Sequence, residues 1–155
     1  DGFWDEFAGA TYGTLNSATH PSTGLVPDFY GNNCGGKSTT EYKYDAARTP
    51  WRIATDFVWW NTPQAQTWLQ KIMTWASAIG PGNIKDGYTL DGNAISNYVN
   101  SAFVGGFATG AMAFNQETVN AFALQLSRQN DDAYFQATLK PLYMLLLTGR
   151  FVKGC

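Results

Sequence analysis

Charge is scarce in this sequence. Asp, Glu, Lys and Arg make up 14% of its 155 residues, and the formal net charge is -2. The lysines and arginines are scattered, so no basic face is offered to phosphate and nucleic acid is not expected as a partner. Histidine occurs once, as His20, in a polar loop before Pro21, where it is expected to be solvated. No cluster of His, Cys or carboxylates has metal-ligand spacing, so neither a catalytic metal nor another cofactor is expected. No G-x-S-x-G elbow and no phosphate-cradling glycine loop occurs, which argues against serine hydrolases and nucleotide binders. The longest apolar stretch, residues 142–147, is far short of the ~20 residues of a transmembrane helix, so no membrane span is expected. The chain opens on Asp1-Gly2-Phe3-Trp4 with no Met and no signal peptide, and reads as a mature or truncated chain. Only two cysteines are present, Cys34 in a glycine-rich loop and Cys155 at the last position.

What the chain does have is apolar and aromatic. Hydrophobic residues reach 45% and aromatic residues 15%. That composition specifies a folded protein. It fits a large aromatic core and equally a carbohydrate binder, because sugar faces stack on rings. The apolar periodicity predicts helices and little strand. The first runs from Phe3 to about Ser17, with Phe3, Phe7, Ala10 and Thr11 on one face. Residues 18–44 read as a long loop, a length that usually marks a binding loop. Thr49-Pro50 and Thr62-Pro63 each read as an N-cap followed by N1. The first pair opens a helix to Trp60 with an inner stripe of Trp51, Ala54 and Val58. The second opens a helix to Ile79, stopped at Gly80-Pro81-Gly82. Residues 83–100 are mixed loop. A helix from about Asn100 to Met112 contains Gly105, Gly106 and Gly110, which predict close helix packing. Asn115 caps a helix through Leu126. Asp131 or Asp132 is expected to cap the last helix, which Pro141 should kink and Gly149 should end.

The chemistry concentrates in Tyr42-Lys43-Tyr44-Asp45-Ala46-Ala47-Arg48-Thr49-Pro50-Trp51-Arg52. One carboxylate and two guanidinium groups lie among rings just before a helix start. The positive end of a helix favours an ionised carboxylate nearby, and Arg48 can orient Asp45 through paired hydrogen bonds. Such a carboxylate can serve as a general base beside rings that cover sugar faces. The plain alternative is a helix-start ion pair above core aromatics.

This run resembles a signature of glycoside hydrolase family 8, which comprises inverting endo-glucanases with some xylanases, chitosanases and lichenases. Four more segments resemble the family in order: Thr23-Gly24-Leu25-Val26-Pro27-Asp28-Phe29, Asp86-Gly87-Tyr88-Thr89-Leu90-Asp91-Gly92, Ala102-Phe103-Val104-Gly105-Gly106-Phe107-Ala108, and residues 142–151. The resemblance implies an all-α fold of the (α/α)6 barrel family. The chain, with about six helices, corresponds to the C-terminal half of the catalytic domain. It implies Asp45 as general base, Arg48 as the neighbour that orients it or binds substrate, and Tyr134 as a sugar-stacking residue, with Phe135 a competitor for the last role; Tyr44, which flanks the base, is a further substrate-binding candidate. The family's general acid is a Glu in an "EGxxYGM"-type motif that this sequence lacks, so the acid is assigned outside the chain and the isolated chain is expected to be inactive. Glu41 is the carboxylate nearest to Asp45 on its N-terminal side. The implied partners are a β-glucan polysaccharide and the missing N-terminal half of the domain. The implied location is extracellular or periplasmic; in such an oxidising compartment a Cys34–Cys155 disulfide is expected, with two unpaired thiols as the alternative.

Other residues carry blander expectations. Arg52 reads as a structural ion-pair partner, and Tyr42 as a weaker sugar-contact candidate than Tyr44. Trp59, Trp60 and Trp68 have helical spacing and read as core. Asp91 and Asp28 read as turn-capping side chains. Two rivals to the hydrolase reading stay open, a non-catalytic glucan-binding fragment and a fragment held by a partner chain.

Overall fold

The computed structural model describes residues 2–31, 38–130 and 133–153. Its helices are α1 (Gly2–Ala18), α2 (Thr49–Trp60), α3 (Pro63–Ile79), α4 (Ser101–Gly110), α5 (Gln116–Arg128) and α6 (Tyr134–Leu147). A single short antiparallel ladder among the described residues pairs β1 (Glu41–Tyr42) with β2 (Tyr88–Thr89). The regular structure is therefore almost entirely helical, as expected. Cys34, Cys155, Asp131 and Asp132 lie outside the described residues, and so does the expected disulfide. Within them, no helix is long and apolar enough to cross a membrane.

Local chemistry accounts for the helix boundaries. Thr62 holds an extended conformation ahead of α3, and Pro63 sits in its first turn, where a missing N–H costs nothing. Ala65, Trp68, Leu69, Ile72, Met73 and Ala76 then fall on one buried face. Asn61 ends α2 in the left-handed region at φ 53° and donates its N–H to the Phe57 carbonyl at 2.8 Å. Asn115 caps α5 by accepting the Thr118 N–H at 2.8 Å. Ala133 precedes α6, which runs through Pro141 and closes with Gly149 at φ 68°.

Helix α4 is the centre, with all ten residues buried and α2, α5 and α6 packed around it. The glycine-rich sequence is what permits this. A Cβ on Gly105 would lie 2.0 Å from the Tyr143 ring of α6, and one on Gly106 would lie 2.4 Å from the Ala47 carbonyl oxygen. Tyr143 seals the contact by donating its hydroxyl to the Ala102 carbonyl at 3.0 Å. From α4, Phe103 and Phe107 meet Tyr42, edge-on and stacked respectively.

Several expectations need correction. Thr49 is the first residue of α2 and not its cap, because a 3₁₀ turn over Ala46–Arg48 runs directly into the helix. Val58 is exposed; α2 turns only Pro50, Trp51 and Ala54 fully inward. The α1 face is not a core face: Phe3 and Phe7 stand in solvent, and Tyr12 is the helix's one buried residue. Trp68 is buried, but Trp60 is exposed beneath the Lys153 ammonium, which sits 3.1 Å from its ring centroid. Trp59 stacks on Phe151 and donates to its carbonyl at 3.0 Å. His20 is half-buried between two turns, with Nδ1 3.2 Å from the Ser22 hydroxyl and Nε2 3.6 Å from Asp91.

Candidate active site

The residues around Asp45 are held from two directions. The first anchor is Asp28. The turn that carries it lies flat on α3, since Gly24 adopts φ +76° and leaves no room for a Cβ, which would stand 2.7 Å from the Ile72 backbone. Thr23 ties this turn to the other motif by donating to the Leu90 carbonyl at 2.6 Å. Asp28 then uses one carboxylate oxygen, Oδ1, to accept the N–H groups of Lys43 at 2.9 Å and Ala46 at 2.8 Å. It caps a turn, as the sequence suggested, but the turn lies 15 and more residues downstream. That turn carries Asp45.

Asp45 begins the 3₁₀ turn, ahead of the helix containing Trp51, and its carboxylate accepts from the Arg48 guanidinium across one turn. Both side chains remain partly exposed, so solvent and ligand reach the pair. The Arg48 guanidinium lies 5.8 Å from the Phe135 ring centroid, and the Arg52 guanidinium covers the Trp51 ring at 4.1 Å. Asp45, Arg48, Thr49 and Arg52 line a pocket of about 230 Å³. Arg52 faces this pocket from its stack on Trp51; no ion pair of the expected kind forms among the described residues. Glu41 is engaged elsewhere, in an ion pair with Lys43 at 2.6 Å.

The second anchor acts on Tyr44. Its ring packs edge-on against Phe103 at 5.1 Å and Phe135 at 5.5 Å. Its hydroxyl donates to Asp86 Oδ2 at 2.8 Å and accepts from Asn100 Nδ2 at 3.1 Å. Asn100 is buried and accepts the Ala102 N–H at 2.9 Å, which caps α4. Burial, and after it the hydrogen bond and charge of Asp86, push the Tyr44 phenol up to about 12. Tyr42 is different: it is wholly buried, its hydroxyl has no partner among the described residues, and it cannot meet a sugar.

Of the four residues singled out from the sequence, the structure brings Asp45, Arg48 and Tyr44 together. Tyr134 is the first residue of α6 and 85% exposed, and its side chain makes no ring or hydrogen-bond contact with the described residues. Its neighbour Phe135 is the one that reaches both Tyr44 and Arg48. Sequence reasoning missed Asp86 and Asn100. The signal for Asp86 was its place at the head of a matched motif; its partner lies 42 residues away, beyond any spacing rule.

The sequence profile of glycosyl hydrolases family 8 matches residues 2–149. The chain belongs to this family. It is 34% identical to Endoglucanase C of Ruminiclostridium cellulolyticum over 96% of its own length and 34% of that protein's. It is 29% identical to a Beta-glucanase of Niallia circulans, over 97% of its own length and 42% of the relative's. Among solved structures, the apo beta-1,3-1,4-glucanase from Paenibacillus sp. X4 superposes with a TM-score of 0.86 at 28% identity, covering 99% of this chain and 46% of the other. A family 8 xylobiose complex from Teredinibacter turnerae, at 24% identity, shares the fold with a TM-score of 0.81 over 97% of this chain and 41% of its own. The chain thus spans about a third of the length of the curated endoglucanase and less than half of these solved chains. Its six described helices match (α/α)6 barrels of the family over that fraction.

Proposed function

We propose that this chain supplies the general-base side of an inverting endo-β-1,4-glucanase. The observation that carries the reading is the Asp45–Arg48 pair, open to solvent at a pocket and flanked by the rings of Tyr44 and Phe135. In the reaction, Asp45 takes a proton from a water whose oxygen attacks the anomeric carbon. The glycosidic C–O bond breaks, and its electron pair leaves on the departing oxygen. A Glu contributed from outside these 155 residues protonates that oxygen. Inversion requires the two carboxyl groups to stand about 6.5–9.5 Å apart, with the water between base and sugar. Arg48 keeps Asp45 oriented, and Tyr44 and Tyr134 contact the glucan.

The reading includes a partner, the remainder of the twelve-helix barrel, with the chain forming its C-terminal half. The share of the relatives' length that the chain spans supports this, as do the exposed rings of Phe3, Trp4 and Phe7 on α1. It also includes an extracellular or periplasmic location, where polymeric glucan is found. A second reading, a glucan-binding unit without turnover, is favoured by one observation: the chain offers Asp45 without a motif matching the family's acid.

Reducing-sugar release from carboxymethyl-cellulose, mixed-linkage β-glucan and xylan tests both readings. The chain alone should give no turnover. In the protein with its acid-bearing half restored, Asp45→Asn should cut turnover at least about a hundredfold, the scale of general-base loss, with little change in glucan binding. Full turnover by Asp45→Asn would overturn the assignment of the base. Turnover by the chain alone that Glu41→Gln abolishes would overturn the external acid.

A further inference from the structure

Tyr44, the residue before Asp45, enters a hydrogen-bond chain with a defined polarity. Asp86 accepts on both oxygens, from the Ser96 hydroxyl on Oδ1 and from Tyr44 on Oδ2 at 2.8 Å. Its own N–H is tied to the Tyr98 carbonyl at 3.0 Å, so its place in the loop is set by the backbone. An ionised carboxylate has no proton to give, so the single Tyr44 proton must point at Asp86. Asn100 is 1% exposed, and its carbonyl oxygen is committed to the Ala102 N–H. Its amide group is therefore the part that faces Tyr44, and it occupies one lone pair of the phenol oxygen at 3.1 Å. The phenol oxygen keeps further acceptor capacity, and Tyr44 as a residue is 36% exposed. The phenol's displacement to about 12, to which Asp86 contributes after burial, is consistent with a proton held in place.

We infer that Asp86 is a specificity-determining positioning residue: by fixing the Tyr44 proton, it turns Tyr44 into a pure hydrogen-bond acceptor that selects sugars presenting a hydroxyl donor next to Asp45. The inference rests on the glucan-binding reading above and deepens it. Tyrosines at sugar sites commonly both donate and accept, since the phenol rotor is free to suit its partner. Here the rotor is locked from behind. A substrate hydroxyl can donate to Tyr44. A fluorine or a methoxy oxygen at the same position brings electron pairs against electron pairs, and is rejected.

The probe is cellotetraose with single hydroxyls replaced by hydrogen or by fluorine, titrated calorimetrically into the full chain, Tyr44→Phe and Asp86→Ala. In the unmodified chain, fluorination at one ring position should weaken binding about tenfold relative to the hydroxyl, somewhat more than one net hydrogen bond is worth. The fluoro compound should bind no better than the deoxy compound. In Asp86→Ala the Tyr44 proton is released, can turn outward and can meet fluorine, so the hydroxyl-to-fluorine ratio should fall below threefold. Tyr44→Phe, which keeps the ring packing, should abolish the ratio even if Asp86→Ala fails to fold. A merely structural Asp86 would lower all affinities together and leave the ratio intact, and that result overturns the inference while sparing the glucan-binding reading. Equal binding of hydroxyl and fluoro forms at every position in the unmodified chain overturns it as well. No binding of cellotetraose by the chain, either alone or with its acid-bearing half restored, overturns the reading underneath and the inference with it.

Discussion

Helices α4 and α1 show how differently one chain can use a helix. All ten residues of α4 are buried, whereas α1 has one buried residue among seventeen. Aromatic content does not separate them, since α1 carries Phe3, Trp4 and Phe7, clustered ring to ring at 5.1 and 6.2 Å. The difference is neighbours. Helix α4 admits them because its glycines let α6 and the Ala47 turn approach. Helix α1 is held near its C-terminal half, where Tyr12 donates to Asp56 and the following Thr19 accepts from Trp68 Nε1 at 2.7 Å. A period of apolar residues therefore identifies a helix, but not whether anything covers its face.

The contrast can be broken at α4. Gly105→Ala should cost at least about 3 kcal/mol, because the Tyr143 ring it would strike is buried and overpacking of this kind is at the upper end of core substitutions. Gly106→Ala should do similar damage against a backbone oxygen that cannot move aside. Urea unfolding of the full chain measures both, and a loss under about 1 kcal/mol would show that α4 is less tightly embraced than its contacts imply.

A middle-sized effect comes from pH. Burial, with Asp56 adding to it, raises the Tyr12 phenol well above its ordinary value, and burial does the same for Tyr143. The folded chain thus holds these protons where the unfolded chain releases them near pH 10. Stability should be level up to about pH 10 and fall as pH rises beyond it. Thermal melts between pH 8 and 12 should show this decline. Tyr12→Phe should make it shallower, at a cost near neutrality of about 1 kcal/mol for the lost bond to Asp56. A decline already present at pH 8 would point to groups other than these phenols.

The smallest effect should be at the start of α1. Trp4→Ser should change the chain's stability by less than about 0.5 kcal/mol, as at other surface positions. A larger loss would mean that the exposed rings are covered in solution, and analytical ultracentrifugation of the same sample would show by what size of partner.

Much of this was legible in the sequence. Thr62-Pro63, Gly80 and Asn115 are short-range signals, and they set helix ends because capping is decided within a few residues. The place of Asp45 before α2 and its pairing with Arg48 followed from a three-residue spacing. What stayed hidden depends on distance along the chain. Asp28 looks like a local turn residue until the segment near Lys43 folds against it, and Asp86 meets Tyr44, 42 residues upstream, only in the folded chain. The Thr49 boundary was misplaced for the same reason: a carboxylate far upstream starts the turn early, and the chain is already coiling when it reaches the Thr-Pro pair.

The grip of Asp28 on Lys43 and Ala46 is followed at once by a second closure. Phe29 and Thr39 close a neck of their own, with the Thr39 N–H reaching the Phe29 carbonyl at 2.9 Å and the Phe29 N–H reaching the Thr39 hydroxyl at 3.0 Å. Two closures thus stand in series, the Phe29–Thr39 pair and the Asp28 carboxylate, and the second one holds the turn of Asp45. Loop-closure entropy grows by only about 0.6 kcal/mol for each doubling of loop length. Asp45 should therefore keep its position when the chain beyond the Phe29–Thr39 pair changes in length, because two hydrogen-bonded closures lie between such a change and the carboxylate.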